Sequence, residues 1–397
     1  MFQISKFLKL QTKVTAFSVL LLLSLAVFMM EGAYAQCPDG TYQVGTHCPH
    51  YLIKVPSPWN GDLVVFAHGY VSPTEELAIV DYVIPPENKS VSEIVAGLGY
   101  AYATTSYSYN GLVIPQAVED IRELVVQFPA LAESTAPRNV YLVGASEGGL
   151  VTTLALEKYP GMFSGGLAFC GPVGDFRKQI NYFGDFLVLF NHFFPHLLSS
   201  FAGGVTPTPA EIPDALVDQD TWDNIIEPAV LKAIHSNPSA TSQLLRTANA
   251  PTDPDDPFSE ETILGVLWYG IFATNDAVDK LGGSPYDNSH RWYSGSRKDL
   301  LLNLRIKRFH ADAVALYNIE NGFQTSGELT SPLVTAHTTQ DPIVPYWHEP
   351  IYNLKTLFSG SLLRHLNIPV VRYGHCAFNQ NELLTAFTIM VFMAGIY

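Results

Sequence analysis

No metal-binding signature occurs in this sequence. Its 12 histidines are scattered, with no H-E-x-x-H and no C-x-x-C, so a zinc centre is not expected. Neither G-x-x-x-x-G-K-[ST] nor G-x-G-x-x-G is present, which removes phosphate-loop and dinucleotide chemistry. No cofactor is expected. Charge is sparse, 15% of residues, and lopsided, with 22 Lys and Arg against 37 Asp and Glu for a net charge of −15. So acidic a chain is not expected to have nucleic acid or an anionic membrane as partner, and its balance suits a soluble exported protein. Internal repeats and low-complexity tracts are also missing. Nor is there a long membrane-spanning run: the apolar stretch over 19–30 is short of the roughly 20 residues a bilayer needs. It follows Lys6, Lys9 and Lys13 and precedes Ala33-Tyr34-Ala35, an A-x-A cleavage site. Residues 1–35 therefore read as a signal peptide, with the mature chain beginning at Gln36, no stable membrane anchor after cleavage, and a secreted or periplasmic location.

Cysteine is scarce too, with four in the chain, all beyond the signal and bound for an oxidising compartment. Cys37 and Cys48 would close a short loop and are expected to pair. Cys170 and Cys376 are then left for each other, either as a bridge or as two buried thiols.

What is present starts with Gly144-Ala145-Ser146-Glu147-Gly148-Gly149. Before it, 139–143 is an apolar, β-branched run of strand character. After it, 150–159 has helical spacing and is stopped by Pro160. Strand, G-x-S-x-G, helix is the setting of a nucleophile elbow: serine on a strained turn, glycines where strand and helix pass closely, and helix-end amides where an oxyanion would form.

Apolar runs at 62–67, 100–105 and 165–169 read as buried strands. The segment 51–55 reads as a short strand ended by Pro56. Helical spacing covers 88–99 and 116–128. This alternation predicts an α/β fold with a parallel sheet. It stops at about Val173, where Phe-rich helical stretches and Pro/Asp loops begin, with aromatic clusters around Phe183–Phe194 and Trp268–Phe272. A helical subdomain with its own core is expected there, one aromatic face of which could also roof a pocket. Strand character returns at 332–337 and 368–372, with helices near 352–358 and 381–396.

A serine nucleophile needs a base, and the base an orienting carboxylate. Asp341 follows the strand at 332–337, and His375 follows the strand at 368–372. Residues just past strand C-termini converge on one edge of a parallel sheet. Asp175 is a rival carboxylate, and His68, His337 and His348 are rival bases; of the four histidines only His375 has the chain order and turn of a base.

The order Ser146, Asp341, His375, with Asp341-Pro342-Ile343-Val344-Pro345, Gly374-His375 and His68-Gly69, resembles the α/β-hydrolase-fold serine esterases over 35–171 and 332–397. The resemblance implies a mostly parallel central sheet with helices on both faces, a core of 36–172 and 332–397, and a large helical lid, 173–331, inserted between strands 6 and 7. It also implies an oxyanion hole made by the backbone N–H groups of Tyr70 and Glu147, and a small-molecule or polymeric ester as substrate. The His375-Cys376 pair is similar to that of tannases and feruloyl esterases, in which a cysteine before the nucleophile bonds one after the catalytic histidine. Ala145 stands before Ser146 here, so that bridge cannot form, and Cys170–Cys376 would do a related job. Carboxylic ester hydrolysis is the leading expectation. A peptidase resembling the prolyl oligopeptidase group and a non-catalytic binding protein of the same fold are the alternatives.

Overall fold

The computed structural model describes residues 37–85 and 88–396, so the expected signal peptide lies outside the described residues. Seven strands form the central sheet: β1 (Tyr51–Lys54), β2 (Leu63–Ala67), β3 (Ala101–Thr105), β4 (Val140–Ala145), β5 (Gly165–Phe169), β6 (Leu333–Gln340) and β7 (His365–Tyr373). Their spatial order is β1-β3-β2-β4-β5-β6-β7. Only β1 runs antiparallel, against β3; the other pairs are parallel. Every residue of β2, β3 and β5 is buried, which is why β2 and β5 read as unbroken apolar runs rather than as alternations.

Ahead of the insertion lie α1 (Val91–Gly97), α2 (Ile114–Leu131) and α3 (Glu147–Lys158). The segment 173–331 carries α4 (Phe176–Phe193), α5 (Glu227–Ser236), α6 (Pro238–Ala248), α7 (Glu260–Phe272), α8 (Thr274–Leu281) and α9 (Ala313–Gly322), with shorter helical segments such as Leu197–Phe201 and Asp299–Arg305 between them. After it come α10 (His348–Phe358) and α11 (Gln380–Ala394). Alternate side chains along each strand point to opposite faces. Leu63, Val65 and Leu142 join the core with α2 and α3 on one face. Val64, Phe66, Val143 and Leu167 face the other side, where α11 contributes Ala386 and Met390. Helices thus cover both faces.

The structure adjusts several expected elements. The helix expected over 88–99 is a two-residue strand, Lys89–Ser90, followed by the shorter α1, because Ser90 and Glu93 form a capping box that starts the helix at Val91. That strand pairs with Val83–Ile84 in a small separate ribbon. Helix α2 starts at Ile114, earlier than expected, with Pro115 in the first turn where a missing N–H costs nothing. Helix α3 starts at Glu147, directly after the serine. Strands β6 and β7 are longer than their apolar centres suggest. On this sheet the segment 173–331 lies between the fifth and sixth strands.

From Gly40 onward the chain forms one compact unit. The insertion nonetheless has its own apolar cluster, built on Phe186, Leu187 and Phe190 of α4 with Val266, Leu267 and Ile271 of α7. Ile343 and Val344, from the turn after β6, belong to that cluster. Inside it, the buried Asp185 carboxylate accepts the hydroxyls of Tyr286 at 2.9 Å and Tyr293 at 2.5 Å, so a charge on the apolar side of α4 is matched by donors rather than left bare.

Candidate active site

Ser146 sits between β4 and α3 with φ 57° and ψ −123°, a backbone region that costs a non-glycine residue about 1–3 kcal/mol. The surroundings impose it. The Ser146 N–H donates to Phe169 O at 2.9 Å, and the neighbouring glycines allow a close crossing. A Cβ on Gly144 would lie 2.0 Å from Gly148 O, and one on Gly148 would lie 2.0 Å from Ala67 O. No side chain fits at either place, so the elbow needs glycine at both positions.

The three residues expected at strand ends are brought together. His375 Nε2 lies 2.9 Å from Ser146 Oγ, and His375 Nδ1 lies 2.8 Å from Asp341 Oδ2. The imidazole is partly exposed, and Asp341 is fully buried. Asp341 Oδ1 accepts the N–H groups of Ile343 and Val344, both at 2.9 Å. Burial alone would raise this carboxyl, but the neighbouring His375 and hydrogen bonds from His337 and His375 outweigh it and hold it down at about 2. It is therefore a carboxylate at any physiological pH, suited to keep Nδ1 protonated and Nε2 free to accept from the serine.

The rivals go elsewhere. Asp175 caps α4, accepting the Lys178 N–H at 3.1 Å, and binds Gln324. His68 is buried, stacked on Tyr107 at 3.9 Å, and its Nδ1 lies 2.7 Å from Gly69 O. His348 Nδ1 accepts the Gly174 N–H, and its Nε2 faces Gln179 Oε1; burial, helped by nearby cations, pushes it well below the usual histidine range. His337 does reach the site, but from behind. It is fully buried, with Nε2 at 3.5 Å from Asp341 Oδ2 and 2.7 Å from Val344 O, and Nδ1 at 3.1 Å from Glu349 Oε1. Burial would lower its pKa, but the bonds to Asp341 and Glu349 outweigh that and raise it to about 10. Glu349 also accepts Thr335 Oγ1 and Asn367 Nδ2, each at 2.6 Å.

At the expected oxyanion position, Glu147 is the first residue of α3, so its amide is one of the helix-end donors without an intrahelical acceptor. Tyr70 follows Gly69, and a Cβ on Gly69 would meet Ser146 Cβ at 3.2 Å, which puts the His68–Tyr70 loop against Ser146. The Glu147 side chain turns inward. Its Oε1 accepts the Val113 N–H at 3.1 Å, and burial pushes its carboxyl up to about 8, so it is neutral at pH 7.

The insertion grips this site at three points. Gln179 and Tyr182 of α4 donate to Ile343 O and Pro342 O at 2.8 and 2.7 Å, bracing the Asp341 turn. Thr262 of α7 meets the Tyr373 hydroxyl at 2.7 Å, next to the histidine loop. Farther along α7, the rings of Trp268 and Tyr269 lie 6.2 and 5.7 Å from that of Tyr70. These contacts join residues 80 or more positions apart, and nothing in local spacing signals them. Cys170 and Cys376 form a disulfide with Cα atoms 5.4 Å apart, tying the end of β5 to the histidine loop; Cys37 and Cys48 are disulfide-bonded as well. Cys376 Sγ lies 3.7 Å from His375 Nε2. Two cavities meet at Ser146. One, of about 580 Å³, is lined by Ser146, His375 and Tyr269; the other, of about 100 Å³, by Ser146, Glu147 and Phe183.

Among solved structures, the chain is similar to feruloyl esterase B from Aspergillus oryzae, with a TM-score of 0.50 and 15% identity over 85% of this chain and 72% of that one. It is similar to an esterase from Aspergillus oryzae to the same extent, with a TM-score of 0.50, 13% identity and the same 85% and 72% coverage. No family model and no curated protein matches its sequence.

Proposed function

We propose that this chain, whose fold is that of the α/β-hydrolases, is an exported serine hydrolase acting on carboxylic esters. The observation that carries the reading is the continuous line from Ser146 Oγ through His375 to Asp341, at 2.9 and 2.8 Å, on a strained elbow. Ser146 attacks the ester carbonyl while His375 Nε2 takes its proton, and Asp341 holds the imidazole and stabilises the imidazolium. The amides of Glu147 and Tyr70 receive the oxyanion, each such donor contributing roughly 2.7–4 kcal/mol in the transition state. His375 then returns the proton to the leaving alcohol, and water, activated the same way, releases the acyl group. Residues 173–331 serve as the lid over this site, the remainder of 36–397 as the catalytic core, and 1–35 as the signal that exports it. In support of export, the cysteines are oxidised, and among the described residues no helix is long and apolar enough to cross a membrane.

A fluorophosphonate probe tests the assignment. Mass mapping is expected to find the label on the peptide holding Ser146 and to find none after Ser146→Ala. An unlabelled wild-type protein removes the enzyme reading and leaves a binding protein; a label that persists in the variant places the reactive nucleophile elsewhere. Matched ester and amide substrates then separate an esterase from a peptidase.

The Glu147 carboxyl adds a pH signature. Protonated below about 8, it puts no charge beside the oxyanion; above that pH it ionises there and opposes the transition state. Turnover is expected to fall as pH rises through 8, and Glu147→Gln, which keeps the amide, should flatten that limb. Stability follows the same sign: with a folded value above the unfolded one, the favourable contribution is full below about 4.5 and lost as pH rises towards 8. The Gln variant should therefore melt above the wild type at pH 9. A pH–rate profile and melting curves check both.

A further inference from the structure

The larger cavity at Ser146 does not stop at the sheet edge. It continues under the sheet, along the face presented by Val64 and Phe66 of β2, Val143 of β4 and Leu167 of β5. Helix α1 is only 7 residues long and packs on β3, while α11 packs on β5 and β6. The central strands between them are left partly uncovered on this face, and that gap is the cavity. Ile94 and Leu98 of α1 form one wall, and Leu384 and Phe387 of α11 the other. Among the described residues lining it, none is Asp, Glu, Lys or Arg. Tyr70, Tyr82 and Tyr269 stand with Ser146 and His375 at the reacting end, where the Tyr82 hydroxyl meets the Gly69 N–H.

Resting on the serine-hydrolase reading above, we propose that this cavity holds an extended aliphatic chain of the substrate ester, so that the preferred substrates are aliphatic esters of medium to long chain. Three observations carry it. First, the cavity opens on the nucleophile itself, so its occupant is covalently part of whatever ester reacts there. Second, its walls offer no charged partner and, besides Ser146 and His375, few polar side chains, the tyrosines and Gln380, so a sugar, phosphate or polyol would leave most of its polar groups unsatisfied, whereas methylene groups lose nothing. Third, its depth suits a chain. Val64 pairs in register with Tyr141, five residues below Ser146, so the cavity floor descends about 16 Å at about 3.3 Å per residue. With C–C bonds of about 1.5 Å, that is the reach of roughly a dozen carbons. The volume, about 580 Å³, is within the usual range for small-molecule sites.

The hydrocarbon could belong to the acyl or to the alcohol half, and the experiment separates the two. Two substrate series are compared on the wild-type protein: p-nitrophenyl esters of acids from C2 to C12, and acetates of straight-chain alcohols from C2 to C12. In one of them kcat/KM is expected to rise about fourfold per added methylene until the cavity fills. The rising series identifies the half that enters. Flat profiles in both, an optimum at C2, or turnover confined to esters of aromatic acids would overturn the proposal. Ile94→Trp and, from the opposite wall, Leu384→Trp should each shorten the optimum by several carbons; an unshifted profile in both folded variants counts against it. Calorimetric titration of Ser146→Ala with decanoate keeps the two readings apart. Binding in that variant with no fluorophosphonate label on the wild type would retain the cavity and remove the serine reading. A labelled Ser146 with no decanoate binding and flat series would do the reverse.

Discussion

Asp341→Asn is expected to lower kcat by about four orders of magnitude while leaving the fold intact. The side chain is fully buried and isosteric with its replacement, so packing does not change. Its Oδ1 contacts with Ile343 N and Val344 N can be kept by the amide oxygen. What changes is the group that faces His375 Nδ1 and, at 3.5 Å, His337 Nε2, so the variant folds but loses some stability along with the charge that helps to match His337. An amide NH₂ turned towards the His375 ring donates instead of accepting, which favours the tautomer with its proton on Nε2. That nitrogen, 2.9 Å from Ser146 Oγ, can then no longer take the serine proton. Steady-state kinetics with a melting curve is the check. Near-normal turnover would show that the carboxylate is not needed, and it could not be reassigned to Asp175, which is occupied in capping α4.

Glu349→Gln should instead act on stability, by about 3–5 kcal/mol, the usual consequence of breaking a buried ion pair from one side. Both nitrogens of His337 face acceptors, Glu349 Oε1 and Val344 O, the arrangement of an imidazolium. Its charge is matched by Glu349 and Asp341 together. Removing one carboxylate leaves a buried cation half compensated, or forces it to deprotonate and lose a bond. Chemical denaturation at pH 7 measures the loss. The pH dependence gives a second check. With a folded value near 10 against an ordinary 6.5, the stability from His337 is full below about 6.5 and disappears as pH rises through 10. The gap between wild type and variant should close over that window. A constant gap would mean that Glu349 acts only through Thr335 and Asn367.

The contrast between Asp341 and Glu349 shows what the sequence makes legible. Ser146, Asp341 and His375 each follow an apolar strand, and a parallel sheet carries such positions to one edge, so chain order alone points to the three that meet. Gly144 and Gly148 are legible for the same kind of reason, since a local turn dictates them. The His337–Glu349 pair is not. His337 lies within β6, where it reads as a polar interruption of a buried strand, and Glu349 opens α10, where it reads as a first-turn acid. Only their packing turns two unremarkable residues into a buried pair behind Asp341. The bracing of the Asp341 turn by Gln179 and Tyr182 is hidden likewise, because about 160 residues separate the partners. The large cavity escapes too: it arises from where α1 and α11 do not reach, and a gap between helices leaves no pattern in either one.

The bridge between Cys170 and Cys376 joins positions 206 residues apart, and everything from the end of β5 to the histidine loop, the entire insertion included, lies inside the ring it closes. Ser146 is on one side of that ring's closure and His375 on the inner edge of the other. A single backbone cut anywhere in the insertion's exposed loops would therefore yield two chains, one with the serine and the other with the aspartate and histidine, still held in one covalent molecule. A nick there by a protease need not be a dissociation.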